Sequence, residues 1–382
     1  LYIDPNNTMR AGQALEKLKG FNRSAPDNHA HLFFESELGG RTLLKALADY
    51  FRLCIAGLTI KRPEAFFSIG RSGLNVWPLM RHDWQDSLTG RTAMTNCLFF
   101  NLFEQLLEKM PVQKKGWYLL ENQAWEKALI YCWKKAGHGT LHGVQHTIAK
   151  YWDLRHGADP RTFTDSRCQY PMPDVLMLNG QKTVDAYLNT GFPKGRIRKA
   201  EALRFLYLEK LKTQAQPQTR RTVPVLLVLG DIQPAVTARM LDMAAGCQHQ
   251  LAGKADIRIK FHPACFLDMK PWPGLENAIL AGSLGELADQ YDIAFTSNGT
   301  TSGLDAFLSG KTVITLLEPG RFNMSPLRSC PQVRFVADAG QLCQAVLGGR
   351  AEGPRNPEQY FFLHKDLPKW KSILEMERTA GV

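Results

Sequence analysis

A chain of 382 residues with 44% hydrophobic and 22% charged residues is long enough for two domains with ample core and ordinary for a globular protein. No apolar run approaches the roughly 20 residues that cross a bilayer, and no signal peptide is read, although the start at Leu1 leads us to expect a preceding segment. The net charge of +11 comes without a basic stripe interleaved with aromatics, so nucleic acid is not expected as a partner.

The positive residues are spread through Lys134-Lys135, Lys194 to Lys199 and Arg220-Arg221. That bias suits a protein handling anionic ligands beside an anionic membrane, and equally a solvated basic surface. The eight cysteines (Cys54, Cys97, Cys132, Cys168, Cys247, Cys265, Cys330, Cys343) include no C-x-x-C pair and read as buried thiols of a reducing compartment.

In chain order, helical spacing covers Thr42 to Leu58 and Ala93 to Lys109. Gly116-Trp-Tyr-Leu-Leu reads as a strand feeding a helix over Gln123 to Lys135. Strands follow at Thr140 to His146 and Pro173 to Leu178, then a helix over Gln181 to Thr190. The polar stretch Lys210 to Thr222, with Pro217, reads as the linker. Beyond it Val223-Pro-Val-Leu-Leu-Val-Leu is unbroken and apolar, the pattern of a strand buried on both faces of a parallel sheet. Gly230-Asp231 turns the chain into a helix over Pro234 to Gln248. Strands at Ile257 and Ala278 to Leu280, a helix over Leu284 to Gln290, a strand at Ile293, a helix after Thr301 and strands at Thr312 and Val333 complete a Rossmann-like α/β unit. The aromatic tail Tyr360 to Leu374 reads as helical.

Two strand ends carry the chemistry. Asp256-Ile-Arg-Ile-Lys-Phe alternates like a half-buried strand and stops at His262-Pro263. Tyr291-Asp-Ile-Ala-Phe leads into Thr296-Ser-Asn-Gly-Thr-Thr-Ser-Gly, and the chain resumes as a helix. A strand, a small-residue turn and a helix place backbone N–H groups and hydroxyls where an anionic phosphate is favoured. A histidine on a neighbouring strand end can donate to that phosphate or to a leaving oxygen. A strand-ending His-Pro and a single N-cap hydroxyl would be unremarkable. Four hydroxyls (Ser297, Thr300, Thr301, Ser302) with two glycines exceed what capping needs, and both segments belong at the carboxyl edge of one sheet. The expected donor-binding set is Gly230, Lys260, His262, Pro263, Ser297, Asn298, Gly299, Thr300, Thr301 and Ser302.

Gly310-Lys311-Thr312 is not a P-loop, because the required first glycine falls on Asp305 and the order is helix then strand; Gly310 reads as a helix C-cap. His138, His142 and His146 have helical zinc spacing, but the intervening glycines and β-formers argue against a helix, so no metal is expected. In the first half, Glu121 ends a strand and fits an acceptor-side general base, with Asp83, Glu35, Glu37 and Glu126 as other carboxylates and helix capping as the plainer role. Asn122, Gln123, Gln145 and His146 are expected to touch substrate, and Arg71 and Arg81 to pair with an acidic group.

Several strings resemble a family of bacterial surface carbohydrate biosynthesis proteins over roughly residues 65 to 375. They are Trp77-Pro-Leu-Met-Arg-His-Asp-Trp, Tyr118-Leu-Leu-Glu-Asn-Gln-Ala-Trp-Glu, Gly137-His-Gly, Gly143-Val-Gln-His, Tyr151-Trp-Asp-Leu-Arg and Glu201-Ala-Leu-Arg-Phe-Leu-Tyr-Leu. More distantly, the His-Pro pair and the Ser/Thr turn resemble GT-B glycosyltransferases that use CMP-activated acidic sugars. That resemblance implies His262 at the donor phosphate, Ser297, Thr300, Thr301 and Ser302 on CMP, and a catalytic carboxylate in the first lobe. Glu121 is followed by Asn122 rather than by the second acidic residue and glycine of the sialyltransferase pattern.

The resulting expectation is an α/β, GT-B-like protein with two Rossmann-type domains facing a central cleft and a C-terminal helix packing back on the first domain. Its parts are an acceptor-side domain over 1–209, a linker over 210–222, a nucleotide-sugar-binding domain over 223–355 and a crossing helix over 356–382. The expected activity moves Kdo or another nonulosonate from a CMP-sugar to a surface glycan. It needs no cofactor and sits in the cytoplasm with peripheral inner-membrane contact. A polyol-phosphate transferase, a UDP-sugar epimerase and a non-catalytic nucleotide or glycan binder are the alternatives.

Overall fold

The computed structural model describes residues 10–24, 29–70, 72–150, 152, 154–156, 159–167, 169–209, 221–349, 353 and 355–379. The chain divides into two compact units, Leu1–Gly143 with Gln169–Val175, and Val144–Cys168 with Leu176–Val382. The fold is α/β, with one four-stranded and one five-stranded sheet. The first sheet runs β1 (Lys115–Leu120), β2 (Thr140–Gln145), β3 (Val175–Leu178) and β4 (Ile197–Lys199) in that order, with β3 and β4 parallel.

The first unit is rich in helices: α1 (Ala11–Ser24), α2 (Gly40–Thr59), α3 (Trp77–Thr89), α4 (Arg91–Lys109) and α5 (Ala124–Lys135). α4 buries Leu102, Phe103 and Leu107, α5 buries Ile130 and Trp133, and Leu120 and Leu141 are buried on the strands. Polar ties fix α2 on α4: Thr42 donates to Gln105 at 2.6 Å, and the buried Asn101 donates to Asp49 at 2.8 Å. α1 and α3 are additional to the helices expected from the sequence.

The second unit holds α6 (Arg161–Thr164) and α7 (Gln181–Asn189), and its five-stranded sheet has the order β6 (Asp256–Lys260), β5 (Val225–Leu229), β7 (Ile293–Ser297), β8 (Thr312–Leu316), β9 (Arg334–Val336), with its paired strands all parallel. The unbroken apolar run of β5 now has its reason. Leu226 and Val228 pack into one core with residues of α8 (Pro234–Leu251) and α10 (Ala339–Leu347), while Val225, Leu227 and Leu229 pack into another with residues of α9 (Ser302–Leu308). Alternate residues face opposite sides of a strand, so a strand covered on both faces must be apolar throughout. α9 lies close on β7 because residue 303 is glycine: a β-carbon there would sit 2.9 Å from Thr296 Oγ1. Gly310 ends α9 as expected, at φ 85°. Its N–H donates to Phe307 and that of Lys311 to Ala306, which closes a Schellman motif.

Elsewhere the reading needs correction. Leu284 to Gln290 forms turns, with the Glu286 carboxylate accepting the Ser283 N–H at 2.6 Å. Ala278 to Leu280 contributes one parallel bridge to Ile259. The tail is helical only from Pro368, as α11 (Pro368–Thr379). Before it, Phe361 stacks on Phe205 at 3.9 Å inside the core, and Phe362 exchanges backbone bonds with Asn179 and Ala202. Of the expected linker, residues 210–220 lie outside the described residues.

Within the second unit, α11 meets the segment around Glu201. The buried Glu201 accepts the N–H of Lys369 at 2.9 Å and of Trp370 at 3.0 Å, and its backbone carbonyl accepts the Trp370 indole at 2.9 Å. A side chain distant in sequence thus caps this helix. Glu201→Ala should cost about 2 kcal/mol, from two lost charge-assisted bonds and unsatisfied N–H groups. Urea unfolding checks this: the midpoint should fall, with Glu201→Gln intermediate.

Candidate functional site

The second sheet departs from its first strand in both directions. From β5 the chain crosses to β6 on one edge and then to β7 on the other, so the loops after β5 and β7 diverge at the carboxyl edge. Such a switch point leaves a crevice, the usual ligand position in open α/β sheets. A cavity of about 360 Å³ lies there. Leu229 and Gly230 follow from β5, Lys260 to Pro263 from β6, and Gly299 to Ser302 from β7; Lys150, Ile232, Leu284 and Asp305 complete the lining.

His262 is held by its own turn. Its carbonyl accepts from Cys265 at 2.9 Å across Pro263, and its Nδ1 accepts the Ala264 N–H at 3.1 Å. With Nδ1 occupied as an acceptor, the neutral ring carries its proton on Nε2 and is a donor there. Thr300 and Ser302 hydroxyls are 2.9 Å apart, and Lys150 donates to the Gly299 carbonyl. The site therefore gathers two ammonium groups, an imidazole and three hydroxyls at a strand-to-helix turn. Those are the groups that hold an anion and neutralise charge developing on it.

Of the ten expected donor-binding residues, eight line the cavity: Gly230, Lys260, His262, Pro263, Gly299, Thr300, Thr301 and Ser302. Ser297 and Asn298 do not, and both are engaged beside it. Buried Ser297 donates to the Asp231 carboxylate, whose other oxygen accepts the Gln233 N–H at 2.8 Å. Asn298 donates to the Phe322 carbonyl at 2.6 Å and accepts from Ser325 at 2.9 Å, fastening the loop beyond β8.

Four contributors were missed. Asp231 looked like a turn residue after Gly230. Lys150 follows β2 in an irregular segment, where no periodicity points at Gly299. Asp305 sits in the first turn of α9, where an acidic residue is ordinary helix chemistry. Tyr207 is remote in sequence, yet its hydroxyl donates to Asp305 Oδ2 at 2.9 Å. Asp305 Oδ1 is buried and has no partner among the described residues. Burial pushes the Asp305 carboxyl up to about 6, opposed by the Tyr207 bond and by Arg204. Burial, joined by the Asp305 charge and hydrogen bond, lifts the Tyr207 phenol above its ordinary range.

The first-unit candidates stand at the start of α5. Glu121 closes β1, and its N–H donates to Glu126 at 2.9 Å; Asn122 adopts φ 57°. Gln123 is the N-cap, forming a capping box with Glu126. Glu126 is fully buried, and burial raises its carboxyl despite three backbone donors. Glu37 is tied to Lys109 at 2.6 Å and Gln105 at 2.9 Å, which lower its carboxyl, while Glu35, Asp83 and Arg81 are exposed. Arg71 lies outside the described residues.

In the second unit Gln145 is a lock rather than a surface group: buried, it donates to Thr183 at 3.0 Å and accepts from Asn179 at 3.1 Å. His146 follows it, half-buried. His142 lies on strand β2, 3.2 Å from the Gly116 carbonyl, and His138 lies between Gln113 and Leu107, so neither shares a helix face with His146.

No family model matches the chain, and no curated protein matches it. Among solved structures, UDP-GlcNAc 2-epimerase from Methanocaldococcus jannaschii is similar at TM-score 0.48 and 13% identity, over 86% of this chain and 96% of that one. UDP-GlcNAc 2-epimerase from Neisseria meningitidis, bound to UDP-GlcNAc, gives 0.46 and 12%, over 79% and 89%. MurG from Acinetobacter baumannii gives 0.40 and 9%, over 67% and 69%. At these TM-scores the likeness carries no argument about what this chain does.

Asp305 sets a testable pH dependence. Its folded carboxyl titrates near 6 and its unfolded one near 3.9, so between those values the unfolded chain loses a proton that the folded chain keeps. Stability therefore falls as pH rises from about 4 to 6 and stays lowered above that. Asp305→Asn should match the parent near pH 4 and exceed it by about 3 kcal/mol at pH 8 in denaturant melts, since Asn still accepts from Tyr207.

Proposed function

We propose that the cavity binds the phosphate and nucleoside of a nucleotide-activated sugar, and that the protein transfers that sugar to a bacterial surface glycan. The finer reading is a CMP-linked acidic sugar such as Kdo or another nonulosonate. One observation carries the proposal: the His-Pro turn after β6 and the Thr/Ser turn after β7 line a single cavity at the switch point, with Lys150 and Lys260.

Transfer separates the sugar carbon from the phosphate oxygen, and negative charge grows on the departing nucleotide. His262 Nε2–H donates to that oxygen. Lys150 and Lys260 offset the charge, and Thr300, Thr301 and Ser302 fix the phosphate so that little reorganisation is left for the reaction. The acceptor hydroxyl loses its proton as it attacks, and Glu121, the carboxylate directly after β1, is the proposed base. The product is the glycoside, with CMP released.

Titration with CMP, UDP, CDP and GDP in a thermal-shift assay tests the donor. CMP at about 100 times its dissociation constant should add about 2.7 kcal/mol. Preferential stabilisation by UDP would move the reading to a UDP-sugar, and stabilisation by none of the four would end it. His262→Ala should lower turnover about 100-fold with a smaller change in nucleotide affinity. Glu121→Gln should lower turnover by a similar factor and leave CMP binding intact. Full activity in either variant removes that residue's role. Interconversion of UDP-GlcNAc without an acceptor, or release of CMP from CDP-glycerol, would assign the alternatives on the same scaffold.

A further inference from the structure

The first unit carries an apolar surface that the cavity does not use. α2 buries Thr42 and Ala46 on one side. Away from that side, Leu44, Phe51, Ile55 and Leu58 are 69%, 62%, 63% and 84% exposed, and Leu43 and Leu47 are 41% exposed. At roughly 100° per residue these six fall within an arc of about 120°, along about 22 Å of helix. Single exposed apolar residues are ordinary, but a continuous stripe of this length marks a surface that meets something.

The charges around it say what. From residue 40 to 62 the chain has five basic residues (Arg41, Lys45, Arg52, Lys61, Arg62) and one acidic one, Asp49. Asp49 lies off the stripe, where it accepts from Asn101 and pairs with Arg52 at 3.3 Å. No acidic side chain lies on the apolar arc, and Arg41 and Arg52 border it. Isologous pairing of two copies would set this positive segment against its own image. An anionic bilayer offers hydrocarbon to the stripe and negative headgroups to its border. Among the described residues no helix is long and apolar enough to cross a membrane, so α2 would lie in the interface.

We propose that α2 is a membrane-surface helix that seats the Leu44, Phe51, Ile55 and Leu58 stripe in the headgroup region of an anionic bilayer. The inference is independent of the donor assignment. It is tested by flotation of the full chain with phosphatidylcholine vesicles, with and without phosphatidylglycerol. The parent should float with the anionic vesicles, less so at high salt. Phe51→Asp with Ile55→Asp, both at exposed positions, should lower partitioning about tenfold or more while the melting temperature holds. Arg41→Gln with Arg52→Gln should weaken binding to anionic vesicles alone. Failure of the parent to float, or equal flotation of the aspartate variant, overturns the proposal. A lipid-free dimer that the aspartate variant converts to a monomer in light scattering would overturn it too, in favour of a second copy.

Discussion

β5 is enclosed on all sides: a strand on each edge and a packed layer on each face. That enclosure is the constraint on which the rest of the second unit depends. A strand so placed cannot carry polar side chains along its length, so its chemistry is displaced to its carboxyl end. There the chain has already left toward β6 and must return for β7, and no connection covers the gap. The buried Asp231–Ser297 bond ties the two diverging ends together, and Gly303 lets α9 settle directly over β7. The cavity is thus a consequence of strand order, and the side chains around it give it chemical character.

That character is a balance of opposed charges. Lys150 and Lys260 bring positive charge to the cavity lining, and Asp305 brings a carboxyl to the same lining. With its carboxyl at about 6, Asp305 is largely ionised at neutral pH, and one of its oxygens has no hydrogen-bond partner among the described residues. Glu201 makes the contrast plain. It is the more deeply buried residue, yet both of its oxygens take backbone N–H groups at the start of α11. Glu201 is explained by the helix it caps. Asp305 lowers the stability of the fold as it ionises, a pattern associated with sites kept for function rather than packing.

How much of this could be read from residues alone depends on how local the signal is. The strands of the second sheet were legible because burial on both faces forces an apolar run, as in Val225–Leu229. The His262-Pro263 and Thr300–Ser302 turns were legible because each is a strand end with its own vocabulary. What stayed hidden was non-local. Lys150 joins the cavity through a bond to Gly299 that no spacing predicts. Glu201 reads as an ordinary surface glutamate until α11 returns to it. At Leu284, Ser283 and Glu286 make the reciprocal bonds of a capping box, a helix-start signal, yet the chain beyond forms only turns. The tail was read as helical because an aromatic run does not say whether its rings pack along one helix face or, as with Phe361, into a core.

The first unit shows the same logic inverted. Its helices bury one face as β5 buries two, and Ala46 and Thr42 are the small residues that let α2 approach α4. An amphipathic helix in a monomeric domain would then turn polar side chains outward. α2 instead follows its packed face with a second apolar arc and confines its charge to a narrow remainder. A helix apolar over so much of its circumference is ordinarily buried, yet the residues of the second arc are open. Folding of the described chain therefore leaves part of the sequence's apolar pattern unused, and the proposed membrane contact would account for that remainder. The proposed donor cavity and the proposed membrane stripe would answer to different partners, one built from turns at a sheet edge and the other from the outward side of a single helix.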